Sequence, residues 1–132
     1  MQFSIFEEAT GKILMAMEVP TIEAATDNLR PGQLLVEGFF DGANHYVAAG
    51  VVTPRPTIPQ PTPDGNFLRW SAPPPGLTAR VFDLWIDPPH LLVDTPLTAP
   101  DCGLHLAQGG AGYRIDLAAD FPWLPRILEI AP

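Results

Sequence analysis

The residues that could do chemistry are few and scattered. The histidines are His45, His90 and His105, and Cys102 is the single cysteine. Metal sites are announced by close ligand pairs, such as two His at helical spacing or two neighbouring Cys. Here the nearest pair is Cys102 and His105, with Asp101 beside it. On a strand, residues three apart point to opposite faces, so this pair does not converge on one ion. No metal and no cofactor is expected. A reactive thiol needs a helix N-terminus or a cationic neighbour, and nothing around Cys102 offers either. Ser4 and Ser71 are the only serines, and neither sits in a nucleophile elbow. Glu7 and Glu8 are adjacent and read as solvated turn charges, while Asp83, Asp87 and Asp94 read as turn formers and edge protection. Gly109-Gly110-Ala111-Gly112 lies between two strands. A phosphate cradle needs a helix after the glycines, so this is a hairpin loop. No catalytic residue is expected, and the chain is read as not being an enzyme.

The aromatic residues offer binding chemistry instead. Trp70, Trp85 and Trp123 could stack on sugar rings from one face of a sandwich, or they could fill a core or an interface. The core or interface reading is preferred. Phe39-Phe40 and Phe121-Pro122-Trp123-Leu124-Pro125 are the expected exposed apolar surface, with Phe39, Phe40, Phe121, Trp123 and Leu124 as interface candidates. The second of these segments is extended and proline-locked, so it loses little entropy on docking.

The whole chain narrows the field further. It has 132 residues, 46% hydrophobic and only 17% charged, so an apolar patch left on the surface is expected. The net charge of −8 and the isolated placing of every Lys and Arg argue against nucleic acid and against anionic membranes. No apolar run approaches a membrane span, and the N-terminal residues lack the basic region of a secretory signal. A lone cysteine is compatible with folding in a reducing cytoplasm.

The elements that would position these residues are mostly strands. A mainly β fold is expected, in two lobes. Residues 1–53 read as a β-hairpin lobe with one short helix. Its first hairpin turns at Gly11, and a helix over 22–29 starts at an N-cap, Thr21. Ile22, Ala25 and Leu29 should pack it down. A strand over 33–39 and a small hairpin with a three-residue loop, Ala48-Ala49-Gly50, complete the lobe. Residues 54–65 carry a proline at every second or third position and read as an extended linker. Pro54–Asp64 would reach about 34 Å as polyproline II. Residues 66–132 read as a small antiparallel β-sandwich or barrel, with strands over 66–70, 78–86, 91–94, 103–107, 113–117 and 126–130. The clearest alternation is Tyr113-Arg114-Ile115-Asp116-Leu117, with Tyr113, Ile115 and Leu117 facing inward. Lobes this small are marginal alone, which suggests an assembly component.

The first lobe also resembles the N-terminal segment of small tail-associated proteins of tailed bacteriophages. The resemblance rests on Ala9-Thr10-Gly11-Lys12-Ile13-Leu14 and Pro31-Gly32-Gln33-Leu34-Leu35-Val36-Glu37-Gly38. It continues in His45-Tyr46-Val47, Gly50-Val51-Val52 and Arg55-Pro56, followed by a proline-rich tract. The last hairpin, Gly112–Leu117 with Phe121–Pro125 and a final strand, is similar to the Ig-like sandwich such proteins carry. The resemblance implies a virion structural protein of a tail tip or fibre, made in the host bacterial cytoplasm. Its implied partners are other tail proteins, in several copies of a symmetric assembly. It brings no catalytic residues. The first lobe is expected to anchor. A carbohydrate-binding module contacting a host surface glycan is the alternative.

Overall fold

The computed structural model describes residues 1–85, 88–99, 102–106 and 112–130. The chain is mainly β and divides into two compact units, Met1–Arg55 and Pro56–Pro132.

In the first unit, β1 (Gln2–Glu7) lies between β2 (Ile13–Glu18) and β3 (Gln33–Glu37), antiparallel to both. Phe3, Ser4, Ile5 and Phe6 are all buried, as a central strand covered on both faces requires. The turn at Gly11 admits no side chain, because a Cβ would collide with the Val47 carbonyl, and its φ of 79° suits glycine. That approach ties the sheet to the hairpin of β4 (His45–Ala48) and β5 (Val51–Pro54). Phe6, Ile13 and Val47 form the buried cluster beneath, with Val36, Phe40 and Val52 against it. The hairpin turns on Ala49 and Gly50 alone, with φ of 50° and 78°. This is the primed two-residue turn that matches strand twist, one residue shorter than the expected loop. Helix α1 (Ile22–Thr26) starts where Thr21 accepts the Ala24 N–H, as expected, but stops after five residues. Ala25 is fully buried, whereas Ile22 is exposed and does not join the packing.

The second unit packs two sheets around one core. One sheet is ordered β12 (Arg126–Ile130), β11 (Tyr113–Ala118), β8 (Thr78–Asp83), β9 (His90–Pro96). The other is ordered β10 (Cys102–His105), β7 (Phe67–Trp70), β6 (Thr62–Asp64). Leu68, Trp70 and Leu104 of one sheet meet Ala79, Val81, Ile115 and Leu117 of the other. Ile115 and Leu117 face inward as their alternation predicts. At the β10–β7 pairing, a Cβ on Gly103 would strike the Leu68 carbonyl and the Phe67 ring, so the strands approach only because this residue is glycine.

The proline-rich segment is not a free spacer. It is extended, but it is built into the second unit as a strap. Ile58 is fully buried in the core, its carbonyl accepts from Arg126 at 2.9 Å, and the Pro59 carbonyl accepts from the Trp70 indole at 2.9 Å. Thr57 bridges to Leu124 in parallel, and the Leu124 N–H donates to the Pro56 carbonyl at 2.8 Å. Residues 62–64 form β6, which pairs with β7 through a two-residue turn led by Gly65. Pro63 is tolerated because β6 is an edge strand. A segment without backbone donors at its prolines can still present carbonyls and one apolar side chain, and this one does both.

Candidate interaction surface

Ser4 organises the first aromatic pair. It is fully buried, donates to the Gly38 carbonyl at 2.8 Å and accepts the Phe40 N–H at 3.0 Å. This stitch turns Phe40 inward onto the Phe6 cluster and leaves Phe39 outside, 49% exposed. Of the two expected interface residues, Phe39 is therefore available and Phe40 is structural. Phe40 also faces the His45 ring at 6.2 Å between centroids.

The second expected surface, Phe121–Leu124, is a half-buried connector rather than an exposed arm. Trp123 packs against the core, and its N–H donates to the Asp120 carbonyl at 3.0 Å. The Leu124 backbone is held by the strap, and the Phe121–Pro122 bond is cis. The three tryptophans do not form one platform. Trp70 is 2% exposed and spends its indole N–H on Pro59, so it cannot stack on a ligand. Trp85 is 69% exposed. It stands where β8 ends, earlier than expected, because the Asp83 carboxylate accepts the Trp85 N–H at 2.8 Å and turns the chain.

One apolar run on the surface of the second unit was missed by sequence reasoning. Edge strand β9 exposes Leu91, Leu92 and Val93 in succession, with Leu92 at 50%. Val93 lies opposite the buried Val81. Their shared face is roofed over Val81 and open over Val93. The signal was present as an unbroken apolar triplet after Pro88-Pro89, without the alternation of a half-buried strand. As a hydrogen-bonding edge, β9 is nonetheless blunted. The register slips at Leu92, which is the extra residue of a bulge, and Pro96 ends the strand. Bulges and prolines discourage strand addition. The patch therefore offers side chains rather than a ladder.

Beside it, the outer face of the same sheet carries two of the chain's cations, Arg80 and Arg114. The Arg114 guanidinium lies 4.4 Å from the Phe82 ring centroid, and that of Arg80 lies 5.8 Å away. Arg114 pairs with Asp116 at 3.1 Å, and Arg80 with Asp94 at 3.6 Å. A shallow cleft of about 280 Å³ runs past Arg80, Asp116, Arg126 and Ile127. Stacked guanidinium groups with carboxylate partners suit polar recognition of a peptide or glycan. The Thr78 hydroxyl in this cleft donates to the Ala118 carbonyl at 3.4 Å.

Among the described residues, no three His, Cys, Asp or Glu side chains gather as metal ligands. Cys102 is half-buried and His105 exposed, on a strand shared with buried Leu104. Asp87, Asp101 and most of the glycine-rich loop over 108–112 lie outside the described residues. Among the described residues, no helix is long and apolar enough to cross a membrane. No protein-family model, no curated protein and no solved structure matches this chain.

Proposed function

We propose that this chain is a non-enzymatic structural component of a bacteriophage tail, at the tip or on a fibre, working through protein–protein contacts. The observation that carries the reading is the exposed triplet Leu91–Val93 with Trp85 at the end of the preceding strand. Exposed apolar side chains gathered along one edge of a small β unit mark a contact with another protein. The resemblance of residues 1–56 to tail-associated proteins supplies the setting. The first unit is expected to anchor and itself exposes Leu14 and Met15 on β2, so both units offer apolar side chains for a tail contact.

Mass spectrometry of purified virions tests this. The protein should be a particle component at stoichiometric abundance, and Leu92→Lys should deplete it from particles while far-UV circular dichroism stays unchanged. Absence from virions would overturn the reading. A glycan-binding module in host adsorption is the second reading, and the 69% exposure of Trp85 is what favours it. In that case, host-surface glycans should quench or shift the fluorescence of Trp85, and Trp85→Phe should remove the signal.

A further inference from the structure

We propose that the first unit pairs with a second copy of this chain through the free edge of β3, forming one continuous sheet in the order β2-β1-β3-β3-β1-β2. The proposal rests on the first unit's own geometry and holds whether or not the chain belongs to a tail.

The phase of the ladder shows which groups face outward. The Gly38 N–H donates to the Gln2 carbonyl at 2.8 Å, and the Glu8 N–H donates to the Gly32 carbonyl at 2.9 Å. Antiparallel pairs alternate between bonded and non-bonded. With Ser4 opposite Val36 and Phe6 opposite Leu34, these two pairs hold the bonds to β1. Leu35 and Glu37 therefore turn their N–H and C=O groups away from β1, and so does the Gln33 carbonyl. The Gln33 N–H is taken by the Arg30 carbonyl at 3.1 Å.

This outward set is self-complementary. With a twofold axis at Leu35, each Leu35 exchanges N–H and C=O with the Leu35 of the other copy. Each Glu37 N–H reaches the other copy's Gln33 carbonyl. The side chains agree with the backbone. Leu34 meets Val36 on the face that carries the Phe6 cluster, which would cover Leu34, now 41% exposed. Gln33 meets Glu37. The Gln33 Oε1 already accepts the Arg30 N–H at 3.0 Å, which leaves its amide hydrogens for the Glu37 carboxylate. No like charges are opposed. The β1–β3 register is unbroken, and β3 contains no proline. Neither holds for β9, where centring a pair on Leu92 sets residues of opposite faces against each other across the bulge. Centring it on Asp94 opposes two carboxylates. The occupant of the β3 edge is therefore its own copy, and β9 is not an alternative site for the same pairing.

The contact is small, and the net charge of −8 opposes it, so the pairing is weak and strengthens as salt screens the repulsion. Sedimentation velocity of the full chain at physiological ionic strength tests it, between about 10 µM and 1 mM, where contacts of this size populate. A dimer growing with concentration is expected. Gln33→Glu sets two carboxylates against each other twice per dimer and keeps the acceptor for Arg30; association should fall about tenfold. The double variant Gln33→Glu with Glu37→Gln restores the complementary pair and should recover wild-type association. Leu92→Lys, in the other edge, should leave it unchanged. A monomer at every concentration, or a double variant no better than Gln33→Glu alone, would overturn the pairing. So would loss of the dimer in Leu92→Lys.

Discussion

One edge of each unit, β9 in the second and β3 in the first, presents itself to solvent in opposite ways. In the second unit β9 carries a bulge at Leu92 and ends in Pro96, and β6 has Pro63 at its centre, while the edges β10 and β12 carry neither device. Its large core, from Ile58 to Leu117, needs no help from another chain at those edges. The first unit has a cluster of three buried residues beneath its hairpin and an edge strand, β3, with no bulge and no proline. The difference is instructive. A bulged or proline-ended edge resists strand addition yet still offers side chains, whereas an unbroken edge offers a ladder. The outward apolar groups differ accordingly. On β9 they are side chains on a broken edge, suited to docking. On β3 exposed Leu34 flanks an intact backbone edge, suited to sheet extension.

This contrast can be broken at several points. The largest effect is expected at Ile58. Ile58→Ala removes a fully buried side chain from the second core and should cost about 3 kcal/mol. Hydrogen exchange should show the loss in the second unit's strands and leave β1–β3 unaffected. Ser4→Ala is the counterpart in the first unit. It leaves the Gly38 carbonyl and the Phe40 N–H without their partner and should cost about 2 kcal/mol. Its exchange signature should be confined to the first unit. Converting the blunted edge sharpens the comparison further. Deleting Leu92 and replacing Pro96 with Thr should turn β9 into an open apolar ladder. Light scattering should then report concentration-dependent aggregation that the parent chain lacks.

Two smaller effects test the first unit's turns. Ala49 holds a φ of 50°, which costs an alanine about 1 kcal/mol and costs asparagine less. Ala49→Asn should therefore raise the melting temperature of the first unit by a few degrees. The Asp41 carboxyl is held below its ordinary value by the Ala43 N–H, then by the Asn44 amide, with a further contribution from His45. Because its folded value is depressed, the stabilisation is present above the ordinary carboxylate range and is lost as pH falls through the folded value. An NMR titration of Asp41 should place its midpoint below that of an unperturbed aspartate.

Much of this architecture was legible from local rules. Period-two alternation located β11, and Thr21 announced the helix start. The glycine at position 11 was read as a turn, and the collision of a Cβ with Val47 explains why it must be one. What was not legible depended on distant partners. The proline spacing correctly excluded a helix, but it carried no information about what the extended chain lies against. Ile58, a single apolar residue among prolines, was the available hint of burial. The Asp64-Gly65 pair was the available hint of the β6–β7 turn. The candidate surface was the least legible part. The exposure of Trp85 depends on where β8 ends, which the hydrogen bond that the Asp83 carboxylate accepts from the Trp85 N–H decides, whereas Trp70 is buried by the strap.

The strap has a practical consequence for dividing the molecule. A fragment starting at residue 66 would lose β6 and Ile58 together, and Trp70 would be left with an unpaired indole beside an open hydrophobic slot. The natural cut lies at Arg55–Pro56. The truncated remainder should behave as a receptor, and a synthetic peptide covering residues 56–65 should rescue its solubility in trans by filling that slot.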